Sequence, residues 1–267
     1  MPAFGQISPP QLSRLVGTPD CPLILDVRTD DDVALDPRLI PTATRLAHLD
    51  AAQVMPDDRN RPIVVSCQRG RKLSEGVAAI LRARGFRAEV LEGGHLAWAE
   101  AGLPLIPRAS LPPTRYWVTR HRPKIDRIAC PWLVRRFIDP SAQVLFVAPS
   151  EVMAVAERFS ATPFDVEGVK LSHRGDLCTF DAMLDDFDLR TAALDRLAVI
   201  VRGADTDRHD LAPQSAGLLA ISVGLSRLHR DDLDQLEAGI ALYDALYRWA
   251  RDGYEEGHDW PQPGPRQ

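Results

Sequence analysis

Short apolar runs alternate with helical patterns through the first hundred residues of the chain. The runs at 23–27, 61–66 and 88–91 have the length and composition of buried strands. Segments at about 74–84 and 95–101 follow, in which apolar residues recur at helical spacing. Strands that alternate with helices are typical of a parallel sheet flanked by helices on both faces. The pattern therefore predicts an α/β domain in this part of the chain.

Helical patterns predominate in the second half. Apolar spacing predicts helices at about 125–138, 149–159, 179–187, 191–202, 214–228 and 231–252. Three apolar runs predict strands at 116–119, 143–147 and 169–172. The apolar stripe of the last helix consists of Leu233, Leu236, Ile240, Tyr243, Ala245, Leu246 and Trp249. This mixture indicates a mostly α-helical α+β domain.

Proline separates the two patterns. Four prolines lie between residues 103 and 114, and proline stiffens a chain and removes backbone donors. A length of 267 residues also fits two domains. We therefore expect a first domain at 5–107, a linker at 108–114, a second domain at 115–252 and a disordered tail at 253–267.

Composition narrows the functional classes. The net charge of −5 gives no general attraction to nucleic acid or acidic membranes, and no helix-turn-helix pattern is recognisable, so neither is expected as a partner. No apolar run approaches the roughly 18 residues of a membrane span, and the first residues lack the pattern of a signal peptide. The four cysteines are widely spaced without a CxxC pair, which favours free thiols and a cytoplasmic location.

Cys67 stands directly between a predicted strand and a predicted helix. Backbone N–H groups and the positive end of the helix dipole face a side chain in that position, and both favour a thiolate. Cysteines so placed have pKa values of roughly 3.5–7.5 instead of about 8.5. Arg69, Arg71 and Lys72 add positive charge, and Gly70 allows the loop to turn back toward the sulfur.

Three separated motifs resemble the rhodanese family. The segment 67–72, CQRGRK, is similar to the family's active-site loop of Cys, two residues, Gly, one residue and Arg or Lys. LILDVR at 23–28 and LEGGHLAW at 91–98 resemble two further family motifs, and the resemblance covers about 5–107. One segment departs: RLIPTA stands at 38–43, where the family often has Gly-His-Ile-Pro-Gly-Ala.

The rhodanese resemblance implies sulfur transfer without a cofactor. The Cys67 thiolate would attack the outer sulfur of thiosulfate or a persulfide, and a thiol or cyanide would then accept the sulfur from a Cys67 persulfide. Substrate-binding residues would be Gln68, Arg69, Gly70, Arg71 and Lys72. Asp26 and Arg28, at the end of another strand, would brace the loop rather than react.

A rival interpretation uses the same fold. Phosphatases of the rhodanese-like type need a longer loop, with five residues between Cys and Arg, in order to surround phosphate. Here four residues separate Cys67 from Lys72, which favours the smaller sulfur atom as the transferred group.

An arginine-rich segment opens the second half, at 119–136. Guanidinium groups match tetrahedral oxyanions, so Arg120, Arg127 and Arg135 are candidates for oxyanion binding. Alternatively, these residues form a solvated basic face around a helix that packs through its apolar residues.

Two polar segments follow, at 172–176 and 201–210. Such dense donors and acceptors either cap helix ends or bind a divalent metal, for which His173 and Asp205 are the candidate ligands. Cys130, before Pro131, is either an activated thiol at a helix start or a small buried residue, and Cys178 is expected to be buried.

These clusters lie in blocks that resemble the C-terminal domain of the bacterial chromate-resistance ChrB family. The blocks are YWVTR at 116–120, KIDRIACPWL at 124–133, HRG at 173–175 and IVRGAD at 200–205, within a match from about 115 to 251. The family is linked to chromate resistance and its regulation, without a chemistry that transfers residue by residue. Its usual N-terminal region is replaced here by the rhodanese-like segment, so no regulatory role tied to that region is assumed.

Two functional hypotheses follow from these patterns. The first is a rhodanese-type sulfurtransferase fused to a chromate-resistance domain, acting in the response to chromate, other oxyanions or thiol stress. The second is a non-catalytic sensor that binds chromate or a metal through the second domain.

Overall fold

The computed structural model describes residues 5–54 and 60–257. Most of the predicted disordered tail, at 258–267, lies outside the described residues. The first half contains the strands β1 (Gln6–Ile7), β2 (Leu23–Asp26), β3 (Thr44–Arg45), β4 (Ile63–Ser66) and β5 (Ala88–Leu91). Its helices are α1 (Pro9–Leu15), α2 (Asp30–Leu35), α3 (His48–Ala51), α4 (Lys72–Ala83) and α5 (Gly94–Glu100).

These five strands form one parallel sheet in the order β1-β5-β4-β2-β3. Strand β4 is buried along its whole length, as expected for the central strand of a sheet covered on both faces. The predicted α/β fold class is confirmed. Because Asp26 pairs with Ser66 in register, the segments that follow β2 and β4 leave the sheet at the same edge, and Cys67 is the first residue after β4.

The second half is helix-rich, which confirms the predicted α+β class. Its strands are β6 (Tyr116–Arg120), β7 (Gln143–Val147) and β8 (Thr162–Pro163), which form a parallel sheet in the order β7-β6-β8. Its helices are α6 (Asp126–Leu133), α7 (Val152–Phe159), α8 (Thr179–Asp186), α9 (Ala192–Asp205), α10 (Gln214–Leu228) and α11 (Asp232–Asp252).

The strand predicted at 169–172 is wrong. Within it, Leu171 forms only an isolated bridge with Phe164, and its carbonyl oxygen accepts the N–H of Asp165. The third strand of the sheet is Thr162–Pro163 instead. It is short because Pro163 has no N–H to donate to a neighbouring strand and because the chain turns away at Asp165, where φ is +51°.

Helix α6 continues through Pro131 and then widens into a π-helix at Val134–Ile138. The π-helical segment carries Phe137 to the boundary between the two halves. The Phe137 carbonyl oxygen accepts the N–H of Thr42 at 2.9 Å, and the Phe137 ring packs against Trp132 at 5.8 Å. One continuous cluster of buried apolar side chains therefore contains residues from both halves, such as Trp98 and Trp132.

Thr42 lies in the segment that departs from the rhodanese pattern. It stands where that pattern has its second glycine, and its φ of +64° is one that a β-branched residue rarely adopts. Its N–H is held by Phe137, and its Oγ1 lies 3.5 Å from Cys21 Sγ. The contact with the second half therefore maintains the turn that glycine would otherwise allow.

The Phe137 ring leaves no room for a side chain at Gly17. A Cβ atom at Gly17 would lie 2.3 Å from the ring, whereas a Cβ at Gly102 would meet nothing within 4 Å; both glycines have positive φ. We expect Gly17→Ala to reduce the free energy of unfolding by about 1–3 kcal/mol more than Gly102→Ala, because only the first overpacks the core. Chemical denaturation of the two variants measures this difference. Equal losses would mean that the ring moves aside without cost.

None of the helices within 5–54 and 60–257 combines the length and the apolar character that crossing a membrane would require.

Candidate functional site

The sulfur of Cys67 lies in a cradle of donors from the start of α4. The Arg71 N–H donates to Sγ at 3.3 Å, and the Ser74 hydroxyl oxygen lies 3.2 Å from Sγ. The same hydroxyl is 2.9 Å from the carbonyl oxygen of Arg71. The residue is buried, with 6% of its surface exposed, so these contacts replace water around the sulfur.

The Cys67 environment favours the thiolate. Burial alone would raise the pKa of Cys67, but hydrogen bonds from the Ser74 side chain and the backbone N–H groups of Arg71, Ser74 and Arg69 outweigh burial and lower the pKa below its ordinary 9.0. The cationic side chains of Arg69, Arg71 and Lys72, which were also expected to favour the thiolate, are all exposed to solvent and contribute less. Backbone and hydroxyl donors therefore stabilise the charge.

A second loop closes against the Cys67 loop. His95 donates its N–H to the Cys67 carbonyl oxygen at 2.9 Å, and Leu96 donates to that of Gln68 at 3.2 Å. The approach requires glycine on both sides. A Cβ at Gly94 would lie 2.1 Å from the Cys67 carbonyl oxygen, and a Cβ at Gly70 would lie 2.4 Å from that of Leu91. The predicted turn at Gly70 has a φ of +62°.

Gln68 also faces inward. Its Oε1 atom is buried and accepts no hydrogen bond from the described residues. An amide oxygen in this position lacks the donor that buried polar atoms normally have, and the residue adjoins Cys67.

Asp26 and Arg28 form a buried bidentate ion pair, with a shortest distance of 2.7 Å. The remaining guanidinium donors of Arg28 bind the carbonyl oxygens of Asp36 and Arg38, both at 2.8 Å. Asp36 in turn contacts the ring of His95 at 3.1 Å. The pair thus holds the segment after α2, which Asp36 connects to His95 beside the Cys67 loop.

The three arginines considered for oxyanion binding have different partners. Arg120 and Arg127 both bind the Oδ2 atom of Asp165, at 3.0 and 3.3 Å. Arg135 instead binds Glu237 at 2.6 Å and donates to the carbonyl oxygen of Ala142. The structure therefore divides the set, and each guanidinium already has a carboxylate partner.

The two candidate metal ligands lie side by side. His173 Nε2 is 3.1 Å from Asp205 Oδ2, although the residues are far apart in the chain. His173 Nε2 also lies 3.6 Å from Asp126 Oδ2 and 3.7 Å from Asp165 Oδ1. Possible ligand atoms of Asp126, His173 and Asp205 all lie within 4.8 Å of one another.

Helix α8 fixes the two innermost carboxylates. Asp126 is fully buried and accepts the N–H of Thr179 at 2.6 Å and that of Phe180 at 3.4 Å. The Thr179 hydroxyl donates to Asp165 Oδ1 at 3.0 Å. Carboxylates at a helix N-terminus satisfy its free N–H groups and interact favourably with its dipole.

Like charges crowd this cluster. Burial, followed by the charges of Asp205 and Asp165, raises the pKa of Asp126 well above its ordinary value. Burial and the neighbouring Asp165 also raise the pKa of Asp205. Burial lowers the pKa of Arg127, although the nearby carboxylates oppose that effect. The cluster therefore concentrates oxygen donors around one imidazole in a poorly hydrated place.

The other thiols are buried. Cys130 lies inside α6 rather than at its start, and burial raises its pKa far above the ordinary value. Burial raises the pKa of Cys178 in the same way, and that of Cys21 also. The small-buried-residue alternative therefore describes Cys130 and Cys178.

Three residues that contact Cys67 or His173 were not predicted from the sequence. Ser74 carries no motif of its own, although its place in the first turn after the cysteine loop is a signal. Asp126 lies in the arginine-rich segment, where an acidic residue is expected on an exposed surface of mixed charge. Asp165 follows a Pro-Phe pair and lies outside the polar segments at 172–176 and 201–210, so no motif marks it.

The chain matches two family models. One is described as the ChrB C-terminal domain and covers residues 117–250, and the other is the rhodanese-like domain and covers residues 8–101. Both resemblances predicted from the sequence are confirmed.

Individual relatives match parts of the chain. Protein ChrB of Cupriavidus metallidurans is 31% identical over 198 residues, which are 66% of this chain and 59% of that protein. A sulfurtransferase of Allochromatium vinosum is 32% identical over 94 residues, which are 35% of this chain and 85% of that protein. A solved rhodanese-related protein from Thermoplasma volcanium is 19% identical and covers 39% of this chain and 100% of its own, with a TM-score of 0.34. This chain thus spans less than two thirds of the ChrB relative.

Proposed function

The chain belongs to the ChrB C-terminal-domain family and carries a rhodanese-like domain before it, and from this premise we propose that it is a sulfurtransferase that forms a persulfide on Cys67. The similarity to a sulfurtransferase supports the activity, and the ChrB family supports a role in the response to chromate or thiol stress. A free thiolate needs a reducing compartment, so we place the protein in the cytoplasm.

The hydrogen bonds to Cys67 Sγ are the observation that carries the proposal. In the first step the thiolate attacks the outer sulfur of thiosulfate. A bond forms between Cys67 Sγ and that sulfur, and the sulfur–sulfur bond of thiosulfate breaks, so that sulfite leaves with the bonding pair. Donors from the Arg71 N–H and the Ser74 hydroxyl stabilise the anionic sulfur before attack.

The second step returns the enzyme to its starting state. A thiolate or cyanide attacks the outer sulfur of the Cys67 persulfide, the new bond forms to the acceptor, and Cys67 leaves as a thiolate. The exposed side chains of Arg69, Arg71 and Lys72 attract the anionic donor and acceptor toward the loop. Among residues 5–54 and 60–257 no donor reaches the buried Gln68 oxygen, which keeps it available to an acceptor thiol.

Mass measurement of the intact protein tests the proposal directly. After incubation with thiosulfate, the wild-type chain is expected to gain the mass of one sulfur atom, and a following treatment with cyanide to remove it. Cys67-dependent hydrolysis of an aryl phosphate, with no sulfur gained, would favour the phosphatase interpretation. The four-residue spacing between Cys67 and Lys72 supports sulfur as the transferred group.

Ser74→Ala is expected to shift the pH dependence of sulfur transfer to higher pH by about one to two units, because a hydrogen bond to a charged group contributes about 1.5–3 kcal/mol. When Cys67 is a neutral thiol, the Ser74 hydroxyl can donate to the Arg71 carbonyl oxygen. When Cys67 ionises, the hydroxyl turns to the sulfur. Without it the thiolate forms at higher pH, and activity rises later as the pH increases.

The matched control for this pH shift is Ser66→Ala. Ser66 is equally buried and adjoins Cys67 in the chain, but its hydroxyl reaches the Cys67 carbonyl oxygen rather than the sulfur. Initial rates between pH 5 and pH 10, near the ordinary range of a thiol, locate the two midpoints. A midpoint in Ser74→Ala equal to that in Ser66→Ala would show that the hydroxyl does not set the thiol's ionisation.

A non-catalytic chromate sensor has weaker support. It would need free guanidinium donors, but Arg120 and Arg127 bind Asp165 and Arg135 binds Glu237. Chromate could bind Arg120 and Arg127 only by displacing the buried carboxylate of Asp165, and the electrostatic free energy of that ion pair would oppose binding.

A further inference from the structure

We propose that Asp126, His173 and Asp205 bind one divalent first-row transition-metal ion, such as Mn²⁺ or Zn²⁺. The site goes beyond sulfur transfer and is independent of it, since no step at Cys67 requires a metal. Three elements supply the ligands: the start of α6, the loop before α8 and the last residue of α9.

The ligand atoms have the spacing of a coordination sphere. Metal–nitrogen and metal–oxygen bonds of about 2.0–2.2 Å place neighbouring ligand atoms roughly 3–3.6 Å apart. His173 Nε2 lies 3.1 Å from Asp205 Oδ2 and 3.6 Å from Asp126 Oδ2. His173 Nε2 therefore has one oxygen of each carboxylate at a suitable distance, and possible ligand atoms of all three residues lie within 4.8 Å of one another.

Surrounding contacts hold the ligands in place. The N–H groups of Thr179 and Phe180 orient the Asp126 carboxylate, as supporting hydrogen bonds do around known metal sites. The backbone before Asp126 is strained, because Ile125 has a φ of +37°, which β-branched residues avoid. The Tyr243 hydroxyl holds this strained residue by donating to its carbonyl oxygen at 3.2 Å.

The arginines beside the cluster form their ion pairs with Asp165 and not with the proposed ligands. Arg120 and Arg127 both bind Asp165 Oδ2. Among the residues at 5–54 and 60–257, the ion pairs of Asp126 and Asp205 are with His173 alone. A divalent ion at this place would stabilise the anionic form of both carboxylates, of which the Asp126 side chain is only 1% exposed.

A buried hydroxyl on the neighbouring strand also lacks a partner. Thr119 is fully buried, and its Oγ1 atom has no hydrogen bond within the described part of the chain. Strand alternation puts its side chain on the same face of β6 as Trp117, whose ring packs against Phe187 just after α8. Thr119 therefore offers a further donor or acceptor on the side of the sheet that α8 covers.

The donor set indicates the type of metal. Imidazole nitrogen suits Zn²⁺ and Fe²⁺ better than Ca²⁺ or Mg²⁺, carboxylates suit Mn²⁺, and the absence of sulfur ligands among the three residues disfavours Cu⁺. The His173 side chain is 41% exposed, so one side of the ion would face solvent. Three protein ligands with an open position are typical of metal sites that bind water or a small molecule, whereas closed four-ligand sites are structural.

Equilibrium dialysis of the chelator-stripped full-length chain tests the site. We expect one Mn²⁺ or Zn²⁺ per chain by elemental analysis, together with a rise in Tm on metal addition. His173→Ala and Asp205→Asn are each expected to weaken metal binding by on the order of 10–100-fold. Mutation of residues that only support a metal ligand already causes losses of this size in known sites. Both side chains are partly exposed, so both variants should fold, and circular dichroism checks this.

The matched controls come from the same part of the chain. His209 is similarly exposed and lies 3.5 Å from Asp207, which is highly exposed. His209→Ala and Asp207→Asn should bind metal as the wild type does. A folded wild type that binds neither ion at millimolar concentration overturns the proposal. Binding that survives in His173→Ala would be adventitious only, and would overturn it equally. Sulfur gain at Cys67 is measured separately, so the two proposals fail independently.

Discussion

Replacing Cys67 by serine is expected to reduce thiosulfate-to-cyanide sulfur transfer by on the order of 10³-fold or more, since the variant loses the nucleophile that forms the covalent intermediate. The serine hydroxyl is a much weaker nucleophile, and the cradle cannot convert it into an alkoxide. Stability should change little, because the two side chains have similar size and the serine hydroxyl keeps contact with Ser74 and the Arg71 N–H. Steady-state rates measure the loss of sulfur transfer, and the intact mass after thiosulfate treatment shows whether the covalent intermediate still forms.

Cys21→Ser is the matched control for the loss of the nucleophile. Cys21 is also a free, buried thiol in the first half of the chain, but its sulfur contacts Thr42 and the Pro22 carbonyl oxygen instead of the α4 donors. This variant should keep the wild-type rate and gain one sulfur. Unchanged transfer in Cys67→Ser, or sulfur gained by the folded Cys67→Ser protein, would contradict the assignment of the nucleophile.

Arg28→Met is expected to lower the free energy of unfolding by about 3–5 kcal/mol, because it leaves the buried Asp26 carboxylate without its cation. The guanidinium of Arg28 is completely buried, and it also donates to the carbonyl oxygens of Asp36 and Arg38. Methionine replaces the aliphatic part of the arginine side chain, so the loss should come mainly from the stranded charge and from the carbonyl oxygens of Asp36 and Arg38 that lose their donor. Chemical denaturation followed by circular dichroism measures the change.

Arg38→Met provides the comparison for the buried pair. Arg38 also forms a bidentate pair, with Asp36, but its side chain is 45% exposed. Exposed ion pairs contribute up to about 1 kcal/mol, so this variant should lose at most that amount. If Arg28→Met were no more destabilised than Arg38→Met, the Asp26 carboxylate would have to be hydrated or protonated in the folded protein.

The regular elements of the chain were largely predictable because local periodicity specifies them. The strands at Gln143–Val147 and Ala88–Leu91 have the predicted limits, and both are bounded by a change in pattern. The strand predicted at 169–172 failed because its pairing depends on where β8 ends. A single apolar run cannot show whether a neighbouring strand is long enough to pair with it.

The packing of the last helix shows a further limit. The apolar stripe was expected to include Leu233 and Ala245, but both are exposed. Tyr247 and Ala250 are buried in their place. The Tyr247 ring packs against Trp132 and Phe137, at 5.5 Å in each case. These partners lie in α6 and in the π-helical segment after it, more than a hundred residues earlier, and the spacing of apolar residues within α11 cannot reveal them.

The two sites differ in how much the sequence reveals. Cys67 and its loop are contiguous, so strand, loop and helix follow one another in the order that the chemistry needs. The Asp126, His173 and Asp205 cluster is assembled from segments nearly eighty residues apart. The density of polar residues identified His173 and Asp205. The position of Asp126 depends on the backbone conformation of Ile125, which a β-branched side chain disfavours, so the sequence does not predict it.

The common core of the two halves limits how the chain can be dismantled. A cut in the proline-rich segment at 108–114 would separate the two sheets, yet it would also uncover the cluster that joins Trp98 to Trp132 and the pocket that Phe137 fills beside Gly17. The rhodanese-like half is therefore not a cassette that can be transplanted into another protein unchanged. If the rhodanese-like half were fused to another protein, that protein would have to cover the exposed apolar surface, or polar residues would have to replace the apolar ones on it.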